Sequence, residues 1–204
     1  MGCKRYVISL LLLFLAHASA AQENIKTPWV FLDLGMTIID TTDFEKLKYV
    51  KDSKEYLESL RLHGYQIGLI LNIPETWGDT YDKKIETLKS FISERWVDDK
   101  TFDWSPYSKI IIPLKDAEKK PKPILFERAI QFADNCPLIY YAEDQNETEV
   151  ASRLGISVYN VGQTDMPFFV SVENLAKFII DTYKRNYDPL CFDNLKEHTM
   201  YKNL

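Results

Sequence analysis

Four short stretches carry residue types whose placement could support chemistry. In Trp29-Val30-Phe31-Leu32-Asp33-Leu34-Gly35-Met36-Thr37, an apolar, strand-favouring run stops on a carboxylate. A carboxylate directly after a buried strand is costly unless something pairs with it. In open α/β sheets the ligands bind outside the carboxyl ends of the strands. Asp33 therefore reads as a nucleophile, or as a ligand for Mg2+, which favours carboxylate oxygens. A helix or loop cap is the plainer alternative. The run Leu69-Ile70-Leu71-Asn72 ends on an amide that can donate to an anionic oxygen or simply make a turn. Lys119-Lys120-Pro121-Lys122-Pro123 sets cations at the entrance of a Pro-initiated helix, where anions are favoured. With Lys115 nearby, the same stretch also reads as a solvated basic patch. Finally, Tyr140-Tyr141-Ala142-Glu143-Asp144-Gln145-Asn146-Glu147 gathers three acids after another apolar run, and acids so close together favour a bound cation.

The elements that must position these residues alternate between strand and helix. Apolar runs at Pro28 to Leu34, Gln66 to Leu71, Lys109 to Ile112, Leu138 to Tyr141 and Ile156 to Asn160 read as strands. Between them, a helix capped by Asp52 or Ser53 runs to a stop at Gly64, and a longer one starts at Asp79 or Thr80. Further helices cover Ile124 to Phe132, the stretch before Gly155, and Ser171 to Tyr183. Short apolar runs alternating with amphipathic helices predict a parallel sheet covered on both faces. The fold class is thus a three-layer, doubly wound, Rossmann-type α/β domain.

The ends of the chain read differently. Lys4 and Arg5, the apolar Val7 to Ala16 and the small residues Ala18-Ser19-Ala20 have the order of a secretory signal peptide, with cleavage after Ala20. The expected division is residues 1–20 as signal, 21–185 as the domain and 186–204 as a loosely packed, polar tail. Location is then secreted or periplasmic, with no membrane attachment after cleavage. Cys136 and Cys191 would meet an oxidising compartment, as one disulfide or as two thiols. A net charge of −5 argues against nucleic acid as a partner. Trp77, Trp96 and Trp104 read as core or rim packing, and no His/Cys cluster suggests zinc.

The four stretches together resemble the haloacid dehalogenase (HAD) superfamily. Asp33-Leu34-Gly35-Met36-Thr37 is similar to its first motif, D-x-D-G-T, with the first Asp and the Thr retained. Gly35 and Met36 replace the second Asp and the Gly. Asn72 stands where the family has a Ser or Thr that hydrogen-bonds the phosphoryl group. Lys120 through Phe126 resembles K-P-x-P-x-x-F, whose Lys neutralises the nucleophile and the phosphoryl oxygens. Glu143 aligns with the family's metal-binding Asp, Glu147 with its second acid, and Leu154-Gly155-Ile156 with the end of the following helix. The likeness runs from Trp29 to about Tyr183, with no room for a cap domain.

The resemblance implies a capless HAD-like protein with Asp33, Thr37, Asn72 and Lys120 in its catalytic machinery. It implies Mg2+ held by Asp33, the Gly35 carbonyl and Glu143 or Asp144. The expected reaction passes through an aspartyl-phosphate on Asp33. The substrate would be a phosphorylated small molecule or an exposed phosphate on a larger one. In the family the second Asp is the general acid/base, a type of group worth about 10²–10⁴-fold in rate. Gly35 removes it, which favours good leaving groups such as aryl or acyl phosphates. Asp40 and Asp79 are candidates for a relocated acid/base. The alternative is a catalytically impaired domain that binds a phosphorylated ligand or a protein partner. Dehalogenation fits least, because Asn72, Lys120 and the acids suit a phosphoryl group and a cation.

Overall fold

The computed structural model describes residues 26–98 and 100–195. The expected signal peptide lies outside the described residues. The main sheet is built from β1 (Trp29–Leu32), β4 (Gln66–Ile70), β5 (Lys109–Ile111), β6 (Leu138–Ala142) and β7 (Ser157–Asn160), all paired in parallel. Their spatial order is β5-β4-β1-β6-β7. The chain leaves the central β1 to one side and later returns to the other, so the switch point falls at the end of β1. This places Asp33, Asn72 and Glu143 after three adjacent strands.

Alternation along the strands divides the core into two layers. Val30, Leu32, Ile67, Leu69, Ile139 and Tyr141 face one layer, with residues of α1 (Ser53–His63) and α5 (Val172–Thr182). Phe31, Ile70, Ile111, Leu138 and Tyr140 face the other, with residues of α3 (Ile124–Phe132) and α4 (Gln145–Arg153). α2 (Tyr81–Arg95) adds Leu88 and Ile92 to the first layer. Gly68 follows from this packing: a Cβ there would sit 2.4 Å from the Phe31 ring and 3.1 Å from the Lys109 carbonyl.

The expected strands and helices are all present, with ends shifted by a residue or two. Two caps differ in detail. Ser53 Oγ donates to the Ile38 carbonyl instead of capping α1, and Ser171 makes no side-chain bond to the first turn of α5. Thr80 does cap α2, accepting from Lys83 N at 3.3 Å. An antiparallel hairpin of β2 (Ile39–Asp40) and β3 (Lys48–Tyr49) follows the first motif and was not foreseen. Trp96 and Trp104 pack with Tyr49, Phe102 and Tyr107 as an aromatic cluster. No helix among the described residues is long and apolar enough to cross a membrane.

The expected loose tail needs correction. Cys191, Phe192 and Leu195 are buried, and Pro189–Phe192 forms a 3₁₀ turn. Cys191 is bonded to Cys136, with their Cα atoms 5.7 Å apart and a separation of 55 residues along the chain. The domain therefore continues to Leu195, beyond the expected boundary at 185. The polar sequence hid this because two apolar side chains and one covalent bond suffice to dock a short segment. A bridge closing a loop of this size contributes about 2–4 kcal/mol. Cys191→Ser should cost about that much in urea unfolding, and a reductant should lower wild-type stability while leaving the variant unchanged.

Candidate functional site

The carboxyl ends of β1 and β6 and the loop before α3 converge on one buried cation. The Lys120 side chain is fully buried, and its Nζ lies 2.7 Å from Asp33 Oδ1 and 2.8 Å from Glu147 Oε2. It also donates to the Tyr140 hydroxyl at 2.8 Å. Tyr140 in turn donates to Glu147 Oε2 at 2.7 Å. Burial alone would lower the Lys120 ammonium, but Asp33 and Glu147 outweigh it and hold the group above its ordinary value. Burial, Asp33 and Glu147 drive the Tyr140 hydroxyl well up, so it remains a neutral donor. Burial pushes the Glu147 carboxyl up too, against the pull of Lys120.

Each partner is set by the element beneath it. Asp33 N donates to the Tyr141 carbonyl at 2.8 Å, which extends the β1–β6 ladder by one residue and fixes Asp33 at its end. Glu147 lies in the first turn of α4, where the helix dipole favours a carboxylate. Lys120 is gripped through its main chain: it donates from N to Asn72 Oδ1 at 2.7 Å, and Asn72 Nδ2 donates to its carbonyl at 3.1 Å. The Lys120–Pro121 peptide bond is cis. Asn72, expected to donate to a phosphoryl oxygen, thus has the first task of positioning Lys120.

The remaining acids divide by role. Asp144 is the N-cap of α4, with Oδ1 accepting from Asn146 N at 2.7 Å. Glu143 has no direct ion pair with Lys120: burial first, then the Asp33 charge, pushes its carboxyl above the usual carboxylate range. Thr37, fully buried, donates from Oγ1 toward Glu143 Oε2 at 3.5 Å. Among the described residues no three His, Cys, Asp or Glu side chains gather into a ready-made metal cage. Mg2+ does not require one, since it is typically held by one or two carboxylates with waters and substrate phosphate. Asp33, the Gly35 carbonyl and Glu143 are all hard oxygen donors, and the two carboxylates repel each other, with Lys120 paired directly to Asp33 and Glu147 but not to Glu143. That donor set fits Mg2+. Glu143, rather than Asp144, is the residue that would complete it.

The first-motif loop carries two departures of different kinds. Met36 adopts φ 53°, a left-handed backbone that glycine takes without cost. Gly35 does not need to be glycine: an added Cβ would meet only Thr41 Oγ1 and Cγ2, at 3.5 and 3.6 Å. Asp40 is engaged by Thr42, with Thr42 Oγ1 donating to its Oδ1 at 2.6 Å, and by Lys48 at 3.6 Å. Asp79 is exposed, one residue before the Thr80 cap. Neither gains support as a relocated acid/base. Sequence reasoning missed Tyr140, because a tyrosine inside a buried strand is indistinguishable from core packing without the fold.

No protein-family model and no curated protein matches the chain. Solved structures do resemble it in three dimensions. A beta-phosphoglucomutase candidate of Thermotoga maritima is 11% identical, with 75% of this chain and 92% of that one covered and a TM-score of 0.50. A HAD family enzyme of Bacteroides thetaiotaomicron, solved with magnesium and inorganic phosphate, is 15% identical, covering 68% and 96% of the two chains at a TM-score of 0.47. A haloacid dehalogenase-like hydrolase of Streptococcus pneumoniae is 11% identical, covering 75% and 91% at 0.46. At such identities the likeness is one of fold, a parallel α/β sheet covered by helices.

Removing the buried cation should expose the charge balance directly. Lys120→Met would leave Glu147 buried beside Asp33, a change expected to cost about 3–5 kcal/mol near neutral pH. With its carboxyl raised further in the folded state, Glu147 would bind a proton more readily there than in the unfolded chain. Stability lost by the variant should then return as pH falls. Urea midpoints of variant and wild type at pH 5 and pH 8 check this, the gap being larger at pH 8.

Proposed function

We propose that the chain is a divergent, Mg2+-dependent phosphohydrolase of HAD type, exported to a periplasmic or extracellular compartment. The observation that carries the reading is the Lys120 ammonium held between Asp33 and Glu147 at the carboxyl end of the central strand. That arrangement supports a nucleophile next to a cation able to neutralise transferred phosphoryl oxygens. The Cys136–Cys191 disulfide supports export, since such bonds persist in oxidising compartments.

In this reading an Asp33 oxygen bonds to phosphorus as the bond from phosphorus to the leaving oxygen breaks, and the leaving oxygen keeps the electron pair. Water then attacks the aspartyl-phosphate, releasing phosphate and a proton and regenerating Asp33. Lys120 balances charge at Asp33, Asn72 holds Lys120 in place, and Thr37 orients Glu143. Mg2+, when bound by Asp33, Glu143 and the Gly35 carbonyl, would supply charge neutralisation at the phosphoryl group. Gly35 offers no proton to the leaving oxygen, so substrates with good leaving groups are favoured. The same absence supports the second reading, a domain that binds a phosphorylated ligand or a protein partner without turnover.

Turnover of 4-nitrophenyl phosphate by the mature chain should require Mg2+ and vanish in Asp33→Asn. Equal, background rates for both proteins, with Mg2+-dependent binding of inorganic phosphate, would favour the binding reading instead. Because residue 35 has room for a side chain, Gly35→Asp should raise turnover of an alkyl phosphate by about 10²-fold. Independently of activity, Glu143→Gln should remove the rise in melting temperature that Mg2+ gives the wild type. It should also raise the metal-free melting temperature near neutral pH, where ionising Glu143 against Asp33 is unfavourable.

A further inference from the structure

A cavity of about 250 Å3 opens beside the ion pair, with Asp33, Asn72 and Lys120 at one end. Glu147 and Thr41 also line it, and the rest of its walls are apolar, formed chiefly by Ile39 and Leu47 of the hairpin segment, Ile73 after β4, and Leu88, Phe91 and Ile92 of α2. Trp77 closes one side, its ring 5.2 Å from that of Phe91. Phe44, in the hairpin turn, lines the same cavity and is 61% exposed.

We infer that this cavity binds the apolar, aromatic part of a phosphate monoester whose phosphoryl group rests at Asp33 and Lys120. The inference rests on the phosphohydrolase reading and narrows its substrate class. Size is consistent: a cavity of about 150 Å3 holds benzene, so this one accommodates one or two fused rings. The shape is that of a small-molecule site, apolar walls with a few convergent polar groups. The missing proton donor at Gly35 points the same way independently. An aryl oxygen leaves as an aryloxide and needs no proton in the step that breaks its bond to phosphorus, whereas an alkyl oxygen does. Both the cavity wall and the catalytic gap therefore select the same chemistry.

The test separates this inference from the reading beneath it. Binding of naphthylmethylphosphonate and of methylphosphonate, neither of which can be hydrolysed at the C–P bond by this route, would be measured by calorimetry with Mg2+. The expected result is at least tenfold tighter binding of the naphthyl compound, displaced by inorganic phosphate. Trp77→Ala and the solvent-side Phe44→Ala should each reduce the naphthyl-to-methyl affinity ratio severalfold, with melting curves checking that each variant is folded. Equal affinities for the two phosphonates would overturn the aromatic pocket and leave the phosphohydrolase reading standing. Naphthyl binding that inorganic phosphate cannot displace would overturn the phosphoryl reading, and with it the assignment of the cavity to an ester. Failure of both compounds to bind overturns both.

Discussion

The Lys120 ammonium ties together every part of the site. A fully buried lysine survives only where its desolvation is offset, and here Asp33, Glu147 and the Tyr140 hydroxyl all reach it within 2.8 Å. Those partners come from the end of β1, from β6 and from the first turn of α4. The main chain of Lys120 is tied to the end of β4 through Asn72. One ion pair thus fixes the relative positions of three neighbouring strand ends, and a shift in any of them would leave a buried charge unmatched. Packing alone would tolerate such a shift more easily, because apolar contacts have no direction.

That constraint also explains the residue types around it. Two carboxylates and one ammonium leave the cluster with a net negative charge, to which Glu143 adds another nearby. Glu143 responds by moving above the usual carboxylate range under burial and the Asp33 charge. Tyr140 responds differently: as a neutral hydroxyl it accepts from Lys120 and donates to Glu147, so it lengthens the network without adding charge. A phenylalanine there would keep the ring contact with Phe126 but leave Glu147 one donor short. The pattern is a site stable on its own that keeps a residual demand for positive charge on the Glu143 side.

Much of this was legible in the sequence because strand ends concentrate chemistry in an α/β sheet. Asp33 and Lys120 could be selected from an apolar run that ends on an acid and from the Lys-Pro-x-Pro spacing. Their meeting required the strand order, which no single stretch encodes. Glu147 illustrates the limit. Asp144 and Glu147 have the spacing of a capping box, in which the Glu turns back toward the cap. Asp144 does cap α4, but Glu147 turns inward to Lys120 and Tyr140 instead. A local motif and a long-range ion pair compete for the same carboxylate, and only the fold decides between them. The β2–β3 hairpin escaped for a related reason: each of its strands is two residues long, too short for alternation to register.

Gly35 and Met36 invert the expected distribution of side chains in the first-motif loop, and the inversion has a physical consequence. The left-handed backbone falls on Met36, where a side chain costs about 1–2 kcal/mol. The ordinary backbone falls on Gly35, where a side chain would fit against Thr41. The loop therefore keeps its shape despite the residues it contains, held by Met36 N donating to the Ile39 carbonyl and by Ile38 N and Ile39 N donating to the Leu34 carbonyl. If backbone conformation had dictated the sequence, the glycine would stand at 36. At 35 the backbone makes no such demand, and a Cβ would meet only Thr41, at 3.5 and 3.6 Å. What the empty position does is leave the loop without a side chain where Gly35 lines the same cavity as Asp33.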